Sequence, residues 1–165
     1  MYNYLQSLVV IRMKIGIDID GVIAQNLDIA QLRQGNDEEI YRNLTLDENF
    51  LPVLEILRRQ NYQIYFITAR GQEFKRVTKE WLRKNKVSYD KIFFNPSADW
   101  HTSPYYKSRV IKQEGINILI DDLSENISWV NQQTNCWGIL FSNWNEISNV
   151  ILPLLPEGGK EAIGR

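Results

Sequence analysis

Five short, almost unbroken apolar runs, each closed by turn-forming residues, constrain this chain more than any other feature. They are Lys14–Asp18 (KIGID), Gln63–Thr68 (QIYFIT), Lys91–Phe94 (KIFF), Asn117–Ile120 (NILI) and Cys136–Phe141 (CWGILF). The runs are rich in β-branched and aromatic residues and lack the alternation of a strand with one wet face, the pattern of strands covered on both sides. Between them apolar residues fall at helical intervals. Phe50–Arg59 brings Leu51, Leu54, Ile56 and Leu57 near one face, with Pro52 tolerated in the first turn; Glu73–Lys86 does the same with Phe74, Val77, Trp81 and Leu82. Lys107–Gln113 reads as a shorter helix, and Ser124–Gln132 opens on Ser124 as its N-cap. Strand–helix–strand alternation predicts an α/β fold, a Rossmann-like three-layer sandwich around a central parallel sheet with right-handed crossovers.

A chain of 165 residues is accounted for by one such domain, expected over residues 13–152. Met13 directly precedes the first strand, so residues 1–12 read as an extension or frayed tail, and the Pro- and Gly-bearing residues 153–165 read as a second tail. The polar stretch 24–49 fits the alternation worst and is expected as a small cap insertion after the first strand, enough for about two short helices. Nineteen Lys+Arg against twenty Asp+Glu give a net charge of -1, which removes the electrostatic case for a polyanion-coating protein while leaving room for a local basic patch. The single cysteine, Cys136, excludes an intrachain disulfide framework, and the single histidine, His101, cannot build a multi-histidine metal site. The aliphatic run Leu8-Val9-Val10-Ile11 is far short of the ~20 residues a bilayer needs, and no basic segment precedes it, so no membrane association and a cytoplasmic location are expected.

In a parallel sheet, functional groups gather at the carboxyl ends of the strands. There the sequence offers Asp18-Ile19-Asp20-Gly21-Val22, then Thr68-Ala69-Arg70-Gly71, a loop closing on Tyr106-Lys107-Ser108, and Asp121-Asp122. Four carboxylates brought to one edge cannot all stay ionised without a cation, because like charges raise one another's pKa. Oxygen ligands with room left for water and phosphate oxygens suit magnesium, Mg2+. Thr68, Lys107 and the metal would then present hydrogen bonds and charge to an anionic group, and a phosphoryl group fits that offer. Singly, each motif is an ordinary turn or cap; their joint order at strand exits is what carries weight.

The order DIDGV, FITAR, a lysine before a helix, and LIDD resembles the haloacid dehalogenase-like (HAD) superfamily of phosphohydrolases, and within it the 5′-nucleotidase group acting on deoxyribonucleotides (cytosolic type C-like). The phosphatase domain of polynucleotide kinase–phosphatases shows a similar DxDG and IDD pattern. The resemblance implies Asp18 as the nucleophile that forms an aspartyl-phosphate and Asp20 as general acid, then base. It implies Thr68 on a phosphoryl oxygen and Lys107 neutralising charge on nucleophile and phosphate. Magnesium would take Asp18, Asp122 and the main-chain carbonyl of Asp20, with Asp121 behind them. Ala69, Arg70, Trp100 and His101 are the candidate substrate contacts: Arg70 for a second anionic group, Trp100 and His101 from a loop expected to overhang the site and stack on a base. Lys112 is the fallback for the lysine role. Val22 stands where many members carry threonine, and the insertion is smaller than the nucleotidases' helical cap, which implies an open site.

The expected partner is thus a small phosphorylated substrate, a nucleotide first, with a polynucleotide 3′-phosphate end or another small metabolite as alternatives. From another class, a phospho-acceptor module built like a response-regulator receiver would place its acidic pair first and its acceptor mid-chain, the reverse of the order here. A degenerate binding protein would lack catalytic side chains, all of which are present. No G-x-x-x-x-G-K-[ST] stretch exists for a P-loop kinase.

Overall fold

The computed structural model describes residues 12–28, 37–97 and 99–154. In chain order its elements are β1 (Lys14–Ile17), β2 (Ala24–Gln25), α1 (Asp37–Asn43), β3 (Thr45–Leu46), α2 (Phe50–Arg59), β4 (Gln63–Gly71), α3 (Lys75–Lys84), β5 (Lys91–Asn95), α4 (Ser103–Glu114), β6 (Ile118–Asp121), α5 (Ser124–Gln133), β7 (Trp137–Leu140) and α6 (Trp144–Ile151). Five strands form one parallel sheet in the order β5-β4-β1-β6-β7. β1 therefore lies at the centre, flanked by β4 and β6, with Ile17 beside Phe66 on one side and Ile120 on the other.

Alternation along the strands sorts side chains into two cores. Ile15, Ile17, Ile64, Phe66, Ile118 and Ile120 join Phe50, Leu54, Leu57, Trp81, Trp144 and Ile147 from α2, α3 and α6. Tyr65, Ile67 and Leu119 face the other way, onto Tyr106, Val110, Ile111, Ile127 and Val130 from α4 and α5. Helices on both faces make the three layers, and explain why the inner strands β1, β4 and β6 read as continuous apolar runs, whereas the edge strand β7 leaves Trp137 and Leu140 exposed.

Several boundaries differ from expectation, each for a local reason. β4 runs on to Gly71, past Thr68, with a register irregularity against β5 between those residues. α3 is preceded by a short 3-10 turn over Gln72–Phe74 and ends at Lys84. α4 begins at Ser103 with Pro104 in its first turn, so Lys107 lies inside the helix rather than before it. Leu123, not Ser124, is the extended N-cap residue of α5. α6 was not foreseen: Asn143 accepts the Glu146 backbone N–H at 2.9 Å, an N-cap legible in the sequence as Asn-x-x-Glu. The expected tail residues 1–11 and 155–165 lie outside the described residues.

The insertion is one helix and a two-stranded antiparallel ribbon, β2 with β3, with residues 29–36 outside the described set. It is anchored on α3. Tyr41 of α1 meets Phe74 edge-on at 4.9 Å, and the Trp81 indole N–H donates to the Leu44 carbonyl at 2.8 Å. No helix among the described residues is long and apolar enough to cross a membrane.

Trp144 ties the last helix to the first loop. Its ring packs on Phe50 at 4.7 Å, and its indole N–H donates to the Val22 carbonyl at 3.1 Å across 122 residues of sequence. Trp144→Ala should cost roughly 3–5 kcal/mol, read as a fall in the urea midpoint with unchanged slope.

Candidate active site

The ladder of β1 continues one residue past its end. The Asp18 backbone N–H donates to the Ile120 carbonyl at 2.9 Å, which holds Asp18 at the carboxyl edge beside β6. The chain then turns tightly, with the N–H groups of Ile23 and Ala24 converging on the Ile19 carbonyl at 3.0 and 2.8 Å. Gly21 permits this turn with φ of +77°, and a Cβ there would overlap the Asp122 carboxylate. The glycine thus serves both the bend and the approach of the two acidic segments.

Lys107 projects from α4 into the space between the strand ends. Its ammonium is fully buried, 3.1 Å from Asp18 Oδ1 and 2.5 Å from Asp121 Oδ2. Burial alone would lower the lysine's pKa, but Asp121 and Asp18 outweigh it and raise it. Asp121 is in turn fixed through Oδ1, which accepts from the Leu123 N–H at 3.0 Å and the Asn126 side-chain amide at 2.9 Å. Both of its oxygens are therefore engaged. Asp18 is less provided for. It is 4% exposed, and its Oδ1 makes no hydrogen bond of acceptable geometry despite the nearby ammonium. Burial pushes its carboxyl up to about 8; Lys107 pulls it down, and Asp121, Asp20 and Asp122 push it up further. Burial and Asp121 also raise Asp122.

Asp20 faces a different cation. Arg70 Nε and Nη2 donate to its two carboxylate oxygens at 2.8 and 2.6 Å. The remaining guanidinium nitrogen, Nη1, donates to the Thr78 hydroxyl at 2.9 Å, and the group lies 4.1 Å from the centre of the Tyr41 ring. Arg70 is only 3% exposed. The expectation of Arg70 as a contact for a second anionic group is corrected accordingly: every guanidinium nitrogen already has a partner, and the residue grips Asp20. Thr68 is buried and accepts the Arg70 backbone N–H at 3.2 Å, which leaves its own hydroxyl proton free to donate. Ala69, between them, is half-buried.

Three candidates remain. Trp100 and His101 occupy a short 3-10 turn and stack on each other with centroids 3.7 Å apart; Trp100 is 45% exposed. Buried Asn95 braces this loop, its amide donating to the Asp99 carbonyl and the Thr102 hydroxyl. No hydrogen bond or ring contact among the described residues ties either ring to the acidic group. Lys112 is an exposed helix charge. Reading the sequence missed two hydroxyls: Ser103 and Tyr106 are buried, and neither hydroxyl oxygen has a hydrogen-bond partner. Burial and then Asp18 raise the Tyr106 phenol, which places it within the field of the acidic group. Ser103 lies one helical turn before Lys107 and Tyr106 directly adjoins it, a placement that disappears if the helix is started at Lys107.

Asp18, Asp121 and Asp122 each present an oxygen, and these oxygens all lie within 4.8 Å of one another. An unpartnered buried carboxylate oxygen within a three-carboxylate group fits a hard, oxygen-preferring cation. The cradle beside it holds a hydroxyl donor at Thr68 and an ammonium at Lys107, both suited to an anion.

No family model matches the chain. Over 104 residues it is 28% identical to a nucleotidase of Clostridium acetobutylicum, and over 120 residues 25% identical to a protein of Bacillus subtilis named "Putative nucleotidase YqfW". These matches span 56% and 70% of this chain but 52% and 58% of the relatives, so the chain covers little more than half their length. Among solved structures it resembles a component of the Pnkp1/Rnl/Hen1 RNA repair complex, at TM-score 0.65 and 17% identity over 80% of this chain and 43% of that one. It also resembles the D,D-heptose 1,7-bisphosphate phosphatase of B. bronchiseptica, crystallised with magnesium and phosphate, at TM-score 0.59 and 15% identity over 88% and 89% of the two chains. The fold is like that of solved HAD-like proteins, one of them from Streptococcus pneumoniae. In sequence the chain is similar to the two nucleotidase relatives over about half of their length.

The two aspartates of the first loop should respond oppositely to removal. Asp20→Ala strands the buried Arg70 and should cost about 3–5 kcal/mol. In metal-free protein Asp18→Asn should instead raise the melting temperature at pH 8. The sign follows from linkage: the folded state holds the Asp18 proton where the unfolded chain has lost it, so wild-type stability falls as pH rises from the usual carboxylate range to about 8. Melting curves in EDTA across pH 4–9 check both, and Asp18→Asn should flatten that slope.

Proposed function

We propose that this chain is a magnesium-dependent phosphomonoesterase that works through an aspartyl-phosphate on Asp18 and takes (deoxy)nucleoside 5′-monophosphates. The observation that carries this reading is the Asp18 carboxylate, buried at the sheet edge with an unpartnered oxygen, beside the ammonium of Lys107. The nucleotidase names of both curated relatives support the substrate class. Asp18, Asp122 and the Asp20 main-chain carbonyl, with Asp121 behind them, would hold magnesium, which would supply positive charge for the phosphoryl oxygens.

Asp18 attacks phosphorus, forming a P–O bond as the bond to the leaving oxygen breaks. Asp20 gives that oxygen a proton, then takes one from the water that hydrolyses the aspartyl-phosphate. The two N–H groups of Arg70 fix the plane of the Asp20 carboxyl, so its remaining lone pairs have a set direction. Thr68 donates its free hydroxyl proton to a phosphoryl oxygen, and Lys107 offsets the charge accumulating there. Trp100 and His101 offer an exposed aromatic face to a base. The fold likeness to an RNA repair component supports a second reading, removal of a 3′-phosphate from a polynucleotide end.

Asp18→Asn should lower kcat more than a hundredfold while the circular dichroism spectrum is kept, since covalent catalysis should supply more than ~2.7 kcal/mol. EDTA should abolish turnover and magnesium restore it, with calcium binding but supporting little catalysis. Full activity in EDTA would refute the metal requirement. For the substrate, Trp100→Ala should lower kcat/KM on a nucleoside monophosphate about tenfold or more, as stacking is worth roughly 1–3 kcal/mol, and spare p-nitrophenyl phosphate. Equal losses on both would make Trp100 a prop of its loop only.

A further inference from the structure

One face of the molecule concentrates positive charge that the carboxylates described there only partly offset. α3 carries Lys75, Arg76, Lys79, Arg83 and Lys84 against the single carboxylate of Glu80, in a chain whose net charge is -1. Its apolar side, Val77, Trp81 and Leu82, is buried, which turns the cations outward. Arg76, Lys79, Arg83 and Lys86 line a groove of about 590 Å³ together with Val87, Ser88, Tyr89 and one carboxylate, Glu80.

Several surface cations elsewhere are paired, although Arg109 and Lys112 on α4 make no ion pair among the described residues. Arg58 holds Asp90, Arg59 holds Glu55, Lys91 holds Glu114, and Arg42 reaches Glu80. In the groove Arg76 is likewise held by Glu38 and Glu80, but Lys79, Arg83 and Lys86 have no carboxylate partner among the described residues. The end of α3 adds a second observation. The Lys86 N–H donates to the Arg83 carbonyl and the Val87 N–H to the Leu82 carbonyl, a helix exit whose left-handed position favours glycine or asparagine. α4 uses Gly115 for its left-handed exit and α2 is followed by Asn61, both with φ of +65°. α3 instead places a lysine there, at φ of +57°, and that lysine sits on the rim of the groove. Departing from the favoured residue to add a cation to a site already short of anions points to a ligand that supplies them.

We infer that the groove along α3 binds the phosphodiester backbone of a single-stranded nucleic acid. The unpaired cations recur at positions 79, 83 and 86, along one side of a helix and its exit, which suits a repeating anion more than a single one. Tyr89, half-buried with its ring edge-on to Phe66, adds an aromatic wall beside the charges, a pairing that accommodates bases as well as phosphates and gives an acidic polypeptide no counterpart. None of these residues belongs to the acidic site, so binding there needs no turnover.

The test is fluorescence anisotropy of the full chain with a labelled single-stranded oligonucleotide of about twelve nucleotides bearing no terminal phosphate. Neutralising about three phosphates predicts a slope of roughly -2 for log K against log salt. The triple variant Lys79→Glu, Arg83→Glu, Lys86→Glu should weaken binding at least tenfold and flatten that slope. It should leave hydrolysis of p-nitrophenyl phosphate at the wild-type rate. Lys86→Gly should melt at higher temperature yet bind two- to threefold more weakly, which separates loss of the cation from loss of the fold. Equal binding by wild type and the triple variant would overturn the assignment, and so would polyglutamate competing as well as the oligonucleotide. A wild type that binds the strand but hydrolyses no phosphoester would overturn the phosphatase reading alone.

Discussion

An ammonium group removed from water is tolerated only where carboxylates replace the lost hydration, and Lys107 meets that condition with Asp121 at 2.5 Å and Asp18 at 3.1 Å. Much of the functional edge is arranged around it. Lys107 reaches the strand ends because α4 starts a full turn earlier, at Ser103, and packs Tyr106, Val110 and Ile111 under the sheet. Asp121 can serve as its partner because Leu123 and Asn126 hold the other oxygen. Asp18, sharing the same ammonium but given no further donor, is the carboxylate left under-satisfied. In a folded protein that imbalance is costly, and it falls on the residue we propose as the one that meets a cation and a phosphorus atom.

Two aspartates two residues apart thus live in unlike surroundings. Asp18 is buried among like charges, which pushes its carboxyl up to about 8 in the metal-free protein, burial being the larger cause. Asp20 turns to Arg70, a guanidinium buried by Thr78 and the Tyr41 ring. Tyr41 belongs to the insertion, so the small segment that interrupts the strand–helix alternation is physically joined to the second aspartate through one arginine. The insertion's hold on α3, through Phe74 and the Trp81 indole, is therefore a part of the site's architecture.

The sequence made the sheet legible because strands covered on both faces have no polar positions to hide them, and it made Asp18, Asp20, Thr68, Lys107, Asp121 and Asp122 legible because they stand at strand exits or in a recognisable order. What escaped depends on tertiary context. Ser103 and Tyr106 read as members of the loop before Lys107, whereas Pro104 sits in the first turn of a helix that begins at Ser103. Asn126 is a mid-helix residue whose value lies only in its contact with Asp121. Arg70 looked like a spare cation because its partner is fifty residues away in sequence. α6 was readable through its Asn143 cap but was obscured by the loop-like run before it.

Net charge is the least informative number for a molecule arranged this way. Carboxylates gather where the strands end, and two of the cations that answer them, Lys107 and Arg70, are buried and contribute almost nothing to the surface. The charges elsewhere are close to balanced in number but unevenly placed, and α3 is where five cations share ten residues with one carboxylate. The total of -1 is the sum of an acidic edge and a basic flank, and fields from the two are screened from each other over about 8 Å at physiological salt. A ligand at the edge and a ligand on the flank would each meet its own local charge, so near-neutrality of the whole chain argues against neither.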